Sequence, residues 1–132
     1  MSYLRKKIAT ESAERKERYV RFDTLWNEAC KQGNEAANNH TPTTMVVSSD
    51  TTQWIVPEGV CGFAEIRLPK GNTSFAHWAK KNADFSKNYY GCLYYSVRGY
   101  GQSMEKKETF ARKACEVLNA GGIDCYPTSR MD

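Results

Sequence analysis

The stretch from residue 89 to residue 126 constrains this chain most, because it carries in unbroken order the marks of a strand, a tight turn, a helix, a helix stop and a second strand. Residues 89–98, Tyr-Tyr-Gly-Cys-Leu-Tyr-Tyr-Ser-Val-Arg, are aromatic and β-favouring, and Gly99 and Gly101 close the run with a tight exit. Ser103 then offers its hydroxyl to the free amides of a first helical turn. Met104, Ala111, Ala114, Cys115 and Leu118 fall on one helical stripe, which Phe110 and Val117 widen. Gly121 stands where a left-handed helix stop is expected, and residues 123–126 resume a two-residue period that Pro127 is expected to end.

The rest of the chain adds to this unit. Between residues 60 and 68, Val60, Gly62, Ala64, Ile66 and Leu68 alternate with Cys61, Phe63, Glu65 and Arg67, the pattern of a strand with a buried face. After a turn at Pro69 and Gly71, Thr73 or Ser74 caps a short helix in which Phe75, Trp78 and Ala79 share a face. Strand, helix, strand, helix, strand is the order of an α+β domain, with a single small mixed sheet (60–68, 89–98, 123–126) and two helices packed on one face. Upstream, the first 38 residues contain no proline, and Glu11–Arg15, Glu14–Arg18 and Glu17–Arg21 are acid-to-base pairs four apart, so a long N-terminal helix is predicted. Its first half is almost wholly polar, whereas Tyr19, Phe22, Trp26, Ala29 and Cys30 form an apolar stripe in the second half. Residues 33–44 are small and polar and read as a loop. Met45-Val46-Val47 and Gln53-Trp54-Ile55-Val56 read as a hairpin or edge pair. The expected division is a helix over 1–38, a linker over 39–44 and a core domain over 45–132.

Composition narrows the function classes. At 132 residues the chain has the size of one domain. With 26% charged residues and a mean hydropathy of -0.69, it offers no apolar run near the roughly 20 residues that span a bilayer, so a membrane role is not expected. The basic start is followed by Glu11, Glu14 and Glu17 rather than an apolar segment, which argues against a secretory signal and for the cytoplasm. Five cysteines, odd in number and widely spaced, suit reduced core thiols better than a disulfide framework. A net charge of +4 permits attraction to nucleic acid without demanding it.

No catalytic constellation is legible. The two histidines, His40 and His77, and the dispersed cysteines lack metal-ligand spacing, so no metal is expected. No cofactor is expected either, because Gly99-Tyr100-Gly101 lacks both the third glycine of a dinucleotide turn and the Lys-Ser/Thr of a phosphate loop. A cysteine nucleophile would need His77 beside Cys61 or Cys92; inert buried thiols are the simpler reading. Two binding constellations remain. Gly101, Gln102 and Ser103 at a helix start, with Lys106 and Lys107 near and Glu105 as a base, have the makings of an anion or phosphate-ester site, against which stands a plain serine cap. Tyr94, Tyr95 and Tyr100, with Tyr89, Tyr90 and Tyr126, are accompanied by Lys80, Lys81, Lys87, Arg98, Lys106, Lys107, Arg112 and Lys113, the ingredients of a sheet on which bases stack. Strand alternation sends Tyr94 and Tyr95 to opposite faces. The cations of the long helix are interleaved with glutamates, which suits a solvated helix or a partner contact, including self-association, better than a phosphate-binding arm.

The C-terminal half also carries a recognisable pattern: Tyr89-Tyr90-Gly91, the run Gly101-Gln102-Ser103-Met104-Glu105-Lys106-Lys107-Glu108, then Ala111-Arg112, Glu116-Val117-Leu118, Gly122-Ile123 and a terminal Ser129-Arg130-Met131-Asp132. With residues 56–64 and 75–82 it resembles small proteins of tailed bacteriophages and prophages, over most of the chain after Thr43. Cys92 departs from that pattern, where a second glycine is expected. The resemblance implies a viral origin and a role in the host cytoplasm, and it carries over no catalytic residue. The leading expectation is therefore a non-enzymatic phage accessory protein that binds a host or viral macromolecule, a protein first. Single-stranded nucleic acid on the tyrosine-bearing sheet is the alternative, and an enzyme acting on a phosphorylated small molecule the second alternative.

Overall fold

The computed structural model describes residues 2–57, 59–88 and 91–132. Its elements are α1 (Tyr3–Asn39), β1 (Met45–Ser48), β2 (Gln53–Val56), β3 (Gly62–Leu68), α2 (Ser74–Asn82), β4 (Ser86–Lys87), β5 (Leu93–Ser96), α3 (Met104–Ala120) and β6 (Tyr126–Met131). This is an α+β fold. Each helix starts at a hydroxyl cap, at Thr73 and Ser103 as the sequence singled out: Ser2 accepts from the Arg5 amide at 3.3 Å, Thr73 from Ala76 at 3.1 Å and Ser103 from Lys106 at 3.3 Å, each satisfying one orphan donor of a first turn.

β3 is the centre of the main sheet, whose strand order is β4-β5-β3-β6. The sheet was expected to be mixed, yet every pairing in it is antiparallel. The reason is topological: β5 and β6 run the same way, but β3 lies between them, so the strand-helix-strand unit is split and its parallel strands never touch. β6 also differs from expectation. Residues 123–126 were expected to be the last strand, with Pro127 ending it; the strand instead begins at Tyr126 and runs through Pro127, which lies opposite Ile66. An edge strand has one side without a ladder, and a proline facing that side costs no hydrogen bond. β5 is shorter than the expected 89–98, and Tyr89 and Tyr90 lie outside the described residues. β1 and β2 form a separate two-stranded sheet, in register Met45↔Val56 to Ser48↔Gln53, the expected hairpin.

Residues 33–39 form the last two turns of α1, so the helix expected over 1–38 runs on to Asn39 and the loop-like composition of 33–39 does not break it. Trp26, Ala29, Gly33 and Ala37 are its buried positions, spaced to share one face. A Cβ on Gly33 would fall 3.0 Å from the Phe110 carbonyl oxygen and 3.1 Å from its ring, so the missing side chain sets how closely α1 lies on α3. The small residues that suggested a linker are the ones a tight helix crossing requires. α3 ends in a double stop. Gly121 is the cap at φ -86, and the left-handed residue is Gly122 at φ 90, one position later than expected. The Ile123 amide bonds to Leu118 O at 2.9 Å and the Gly122 amide to Asn119 O at 3.0 Å, which completes a Schellman closure.

One core lies between the helices and a single face of the sheet. Ala64, Ile66, Leu68 and Leu93 come from the strands, Val97 from the residue after β5, Trp26 and Ala29 from α1, Phe75 and Trp78 from α2, and Phe110, Ala114 and Leu118 from α3. Trp26 is the pivot, edge-on to Phe85 at 5.3 Å and to Tyr95 at 5.0 Å. By contrast, every described residue of α1 up to Glu17 is exposed. Among the described residues, none of the three expected acid-to-base pairs of α1 closes into an ion pair.

Candidate functional site

The two constellations read from the sequence do not assemble as single sites. The anion seat is already filled by protein. Ser103 is fully buried, its hydroxyl engaged by the Lys106 amide and its own amide by Tyr100 O at 3.2 Å; the Met104 amide bonds to Val60 O at 3.1 Å and Gln102 O accepts from Gly62. Tyr100 turns to α1 and α3, its ring 6.0 Å from Phe110 and its hydroxyl donating to Asn34 Oδ1. Gly101 and Gln102 are exposed, but the amides of Ser103, Met104 and Lys106 are spent on the fold. Glu105, the candidate base, accepts from the Thr43 amide at 2.7 Å, and His40 Nε2 lies 3.1 Å from the same oxygen. The Thr43 amide first, and His40 second, hold its carboxyl below the usual range, opposite to what a general base at neutral pH needs.

The tyrosine-and-cation set is scattered in the same way. Tyr95 faces the core, and burial pushes its phenol up. Lys107 is buried: its Nζ donates to Gly62 O at 3.1 Å and sits 5.3 Å from the centre of the Phe63 ring. Lys106 is half-buried on the first turn of α3. Lys80 and Lys81 line a shallow cleft with Tyr19 and His77, which contains no cysteine, so the sequence's histidine–cysteine pairing does not form there. Arg98 is exposed and reaches Asp84 at 3.7 Å. The cysteines are free thiols; burial pushes Cys30 up to about 11, and the neighbouring Cys125 and burial hold the Cys115 thiol protonated. Among the described residues no group of three or more His, Cys, Asp or Glu could hold a metal ion, and no helix is long and apolar enough to cross a membrane.

Two other surfaces carry unsatisfied chemistry. The first is the hairpin. Its strands pair with each other, and their side chains stand in solvent: Val46 is 58% exposed, Val47 40%, Trp54 51% and Ile55 70%. Val47 and Trp54 are directly opposite, as are Val46 and Ile55, and successive residues of a strand point to opposite sides, so both faces of the ribbon are apolar. A two-stranded hairpin alone is marginal in water. The signal was in the sequence, since neither Met-Val-Val nor Trp-Ile-Val alternates with polar residues.

The second is the face of the main sheet that no helix covers. Across β5, β3 and β6, Tyr94, Arg67 and Tyr126 are aligned in one row, Ser96, Glu65 and Thr128 in the next, and Phe63 with Arg130 in a third. Arg67 Nη2 donates to Glu65 at 3.2 Å, while the buried Arg67 Nε and Thr128 Oγ1 have no partner among the described residues. The Arg130 guanidinium lies 5.3 Å from the Phe63 ring centre. Of the sequence's candidates among the described residues, Tyr94 and Tyr126 belong here. Phe63 and Arg67 were visible as the off-core positions of β3, but Arg130 required knowing that β6 continues past Pro127. Comparison with protein-family models, with curated proteins and with solved structures finds no match to the chain.

Proposed function

We propose that this chain is a non-enzymatic accessory protein of a tailed phage or prophage that acts in the host cytoplasm by binding another protein through its β1–β2 hairpin. The observation that carries the reading is the hairpin itself, an apolar ribbon exposed on both faces and attached to a body whose own core is complete. Exposed apolar area of this kind is characteristic of a surface that is covered in use, and a Trp and an Ile at its centre are suitable anchors for a partner's pocket. The phage origin is supported by the sequence pattern of residues 101–108 and the C-terminal Ser-Arg-Met-Asp. The test is affinity capture from infected cells with nuclease treatment, comparing the native chain with Trp54→Ser/Ile55→Ser. A partner retained after nuclease and lost with the double variant is the expected result; a partner that ignores the hairpin overturns it.

The open sheet face supports a second reading, single-stranded nucleic acid. Tyr94, Tyr126 and Phe63 offer stacking surfaces, and Arg67 and Arg130 stand among them. Glu65 in the middle row works against a phosphate track, which ranks this reading second. Anisotropy of a labelled oligothymidylate should then fall steeply with salt, and Tyr94→Ala or Tyr126→Ala should each remove a stack of roughly 1–3 kcal/mol. Binding that ignores salt, or none at low salt, removes it.

A further inference from the structure

A cleft of about 670 Å³ opens between α1, the start of α2 and the turn after α3, away from both surfaces described above. Small-molecule sites occupy roughly 300–1,000 Å³ and pair an apolar lining with a few polar groups. This one has that composition. Phe22, Leu25, Phe75 and Ile123 supply apolar wall, and Arg21 and Lys70 supply charge. Neither cation makes an ion pair among the described residues. Among the described residues of the lining Asp124 is the one carboxylate, so their charges sum to a single excess positive charge.

A hydrophilic anion such as free phosphate gains nothing from the four apolar side chains, and an uncharged hydrocarbon leaves the two cations unanswered. A ligand with an apolar body and one negative head answers both. We propose that the cleft binds a small amphipathic carboxylate, its hydrocarbon or aryl body against Phe22, Leu25, Phe75 and Ile123 and its head group at Arg21 and Lys70. This site is independent of the hairpin and needs no partner protein.

The experiment is an NMR titration of the full chain, labelled at its methyl groups, with sodium decanoate below its micelle concentration. Saturable shifts are expected at the Leu25 and Ile123 methyls while those of Ile55 stay still. Arg21 and Lys70 are exposed, so Arg21→Glu and Lys70→Glu keep the fold, verified by unchanged signals from buried Ile66 and Leu118. Each reversal should weaken decanoate about three- to fivefold, and the uncharged alcohol of the same chain length should bind correspondingly worse. Shifts confined to the hairpin, absence of saturation, or affinity unmoved by both charge reversals overturns the proposal.

Discussion

Lys107 and Glu105 illustrate how single polar groups hold the start of α3 to the rest of the molecule. Lys107 spends its ammonium on the carbonyl of Gly62 and on the Phe63 ring. Lys107→Met keeps the stem and removes the donor, leaving a buried carbonyl short of a partner. Urea unfolding should then report a loss of about 1–3 kcal/mol. Glu105 anchors the segment between α1 and the hairpin through the Thr43 amide and His40. Its folded pKa is depressed, so the native state binds fewer protons at this site than the unfolded chain. The associated stability is therefore fully present above the unfolded carboxylate value, about 4.3, and is lost as pH falls through the folded value. Glu105→Gln should be less stable than the native chain at pH 7, and the gap should close on acidification below that window. A gap that stays constant with pH contradicts this account.

Elements whose signals are local were legible in the sequence; those decided by neighbours were not. Thr73 and Ser103 cap their helices because a cap is chemistry within one turn, and β3 could be read from its alternation because it has one face in the core. β6 could not, since nothing within Ile123-Asp124-Cys125-Tyr126 says that the free edge of β3 lies six residues long opposite Tyr126 to Met131. The helix boundary near residue 38 was legible, but the loop-like composition of 33–39 pointed the other way, because Gly33 looks like loop until Phe110 is known to press against it. The candidate site was less legible than the fold. Tyr94 and Tyr95 are adjacent and chemically alike, yet one faces solvent and the other packs on Trp26, and Ser103 is equally a cap or an anion ligand until its burial is known. The packing makes contrasting predictions for two tryptophans. Trp26→Ala should cost about 3–5 kcal/mol, whereas Trp54→Ser/Ile55→Ser, outside the core, should leave the urea midpoint of the body almost unchanged.

For the whole molecule, the dominant asymmetry is between a closed body and a helix that outruns it. α1 has 37 residues, roughly 55 Å at 1.5 Å per residue, and only its second half is packed. Amide exchange should be faster over residues 3–17 than over residues 26–37, because exposed turns open without disturbing the core. The same arrangement has a kinetic meaning. An isolated helix of the arm's length is marginal because its first turn fixes several residues for one hydrogen bond. Here that nucleus is supplied by the packed turns around Trp26 and Ala29, so the arm only has to propagate from a template that is already helical. Its order is borrowed along the backbone rather than held by side chains. One interruption at the junction should therefore silence all of it at once: Glu17→Pro is expected to remove the circular dichroism of the turns before it while the body unfolds at its native midpoint. An arm that stayed helical beyond such a break would have to be gripped by something else, and in this chain that would mean a second molecule.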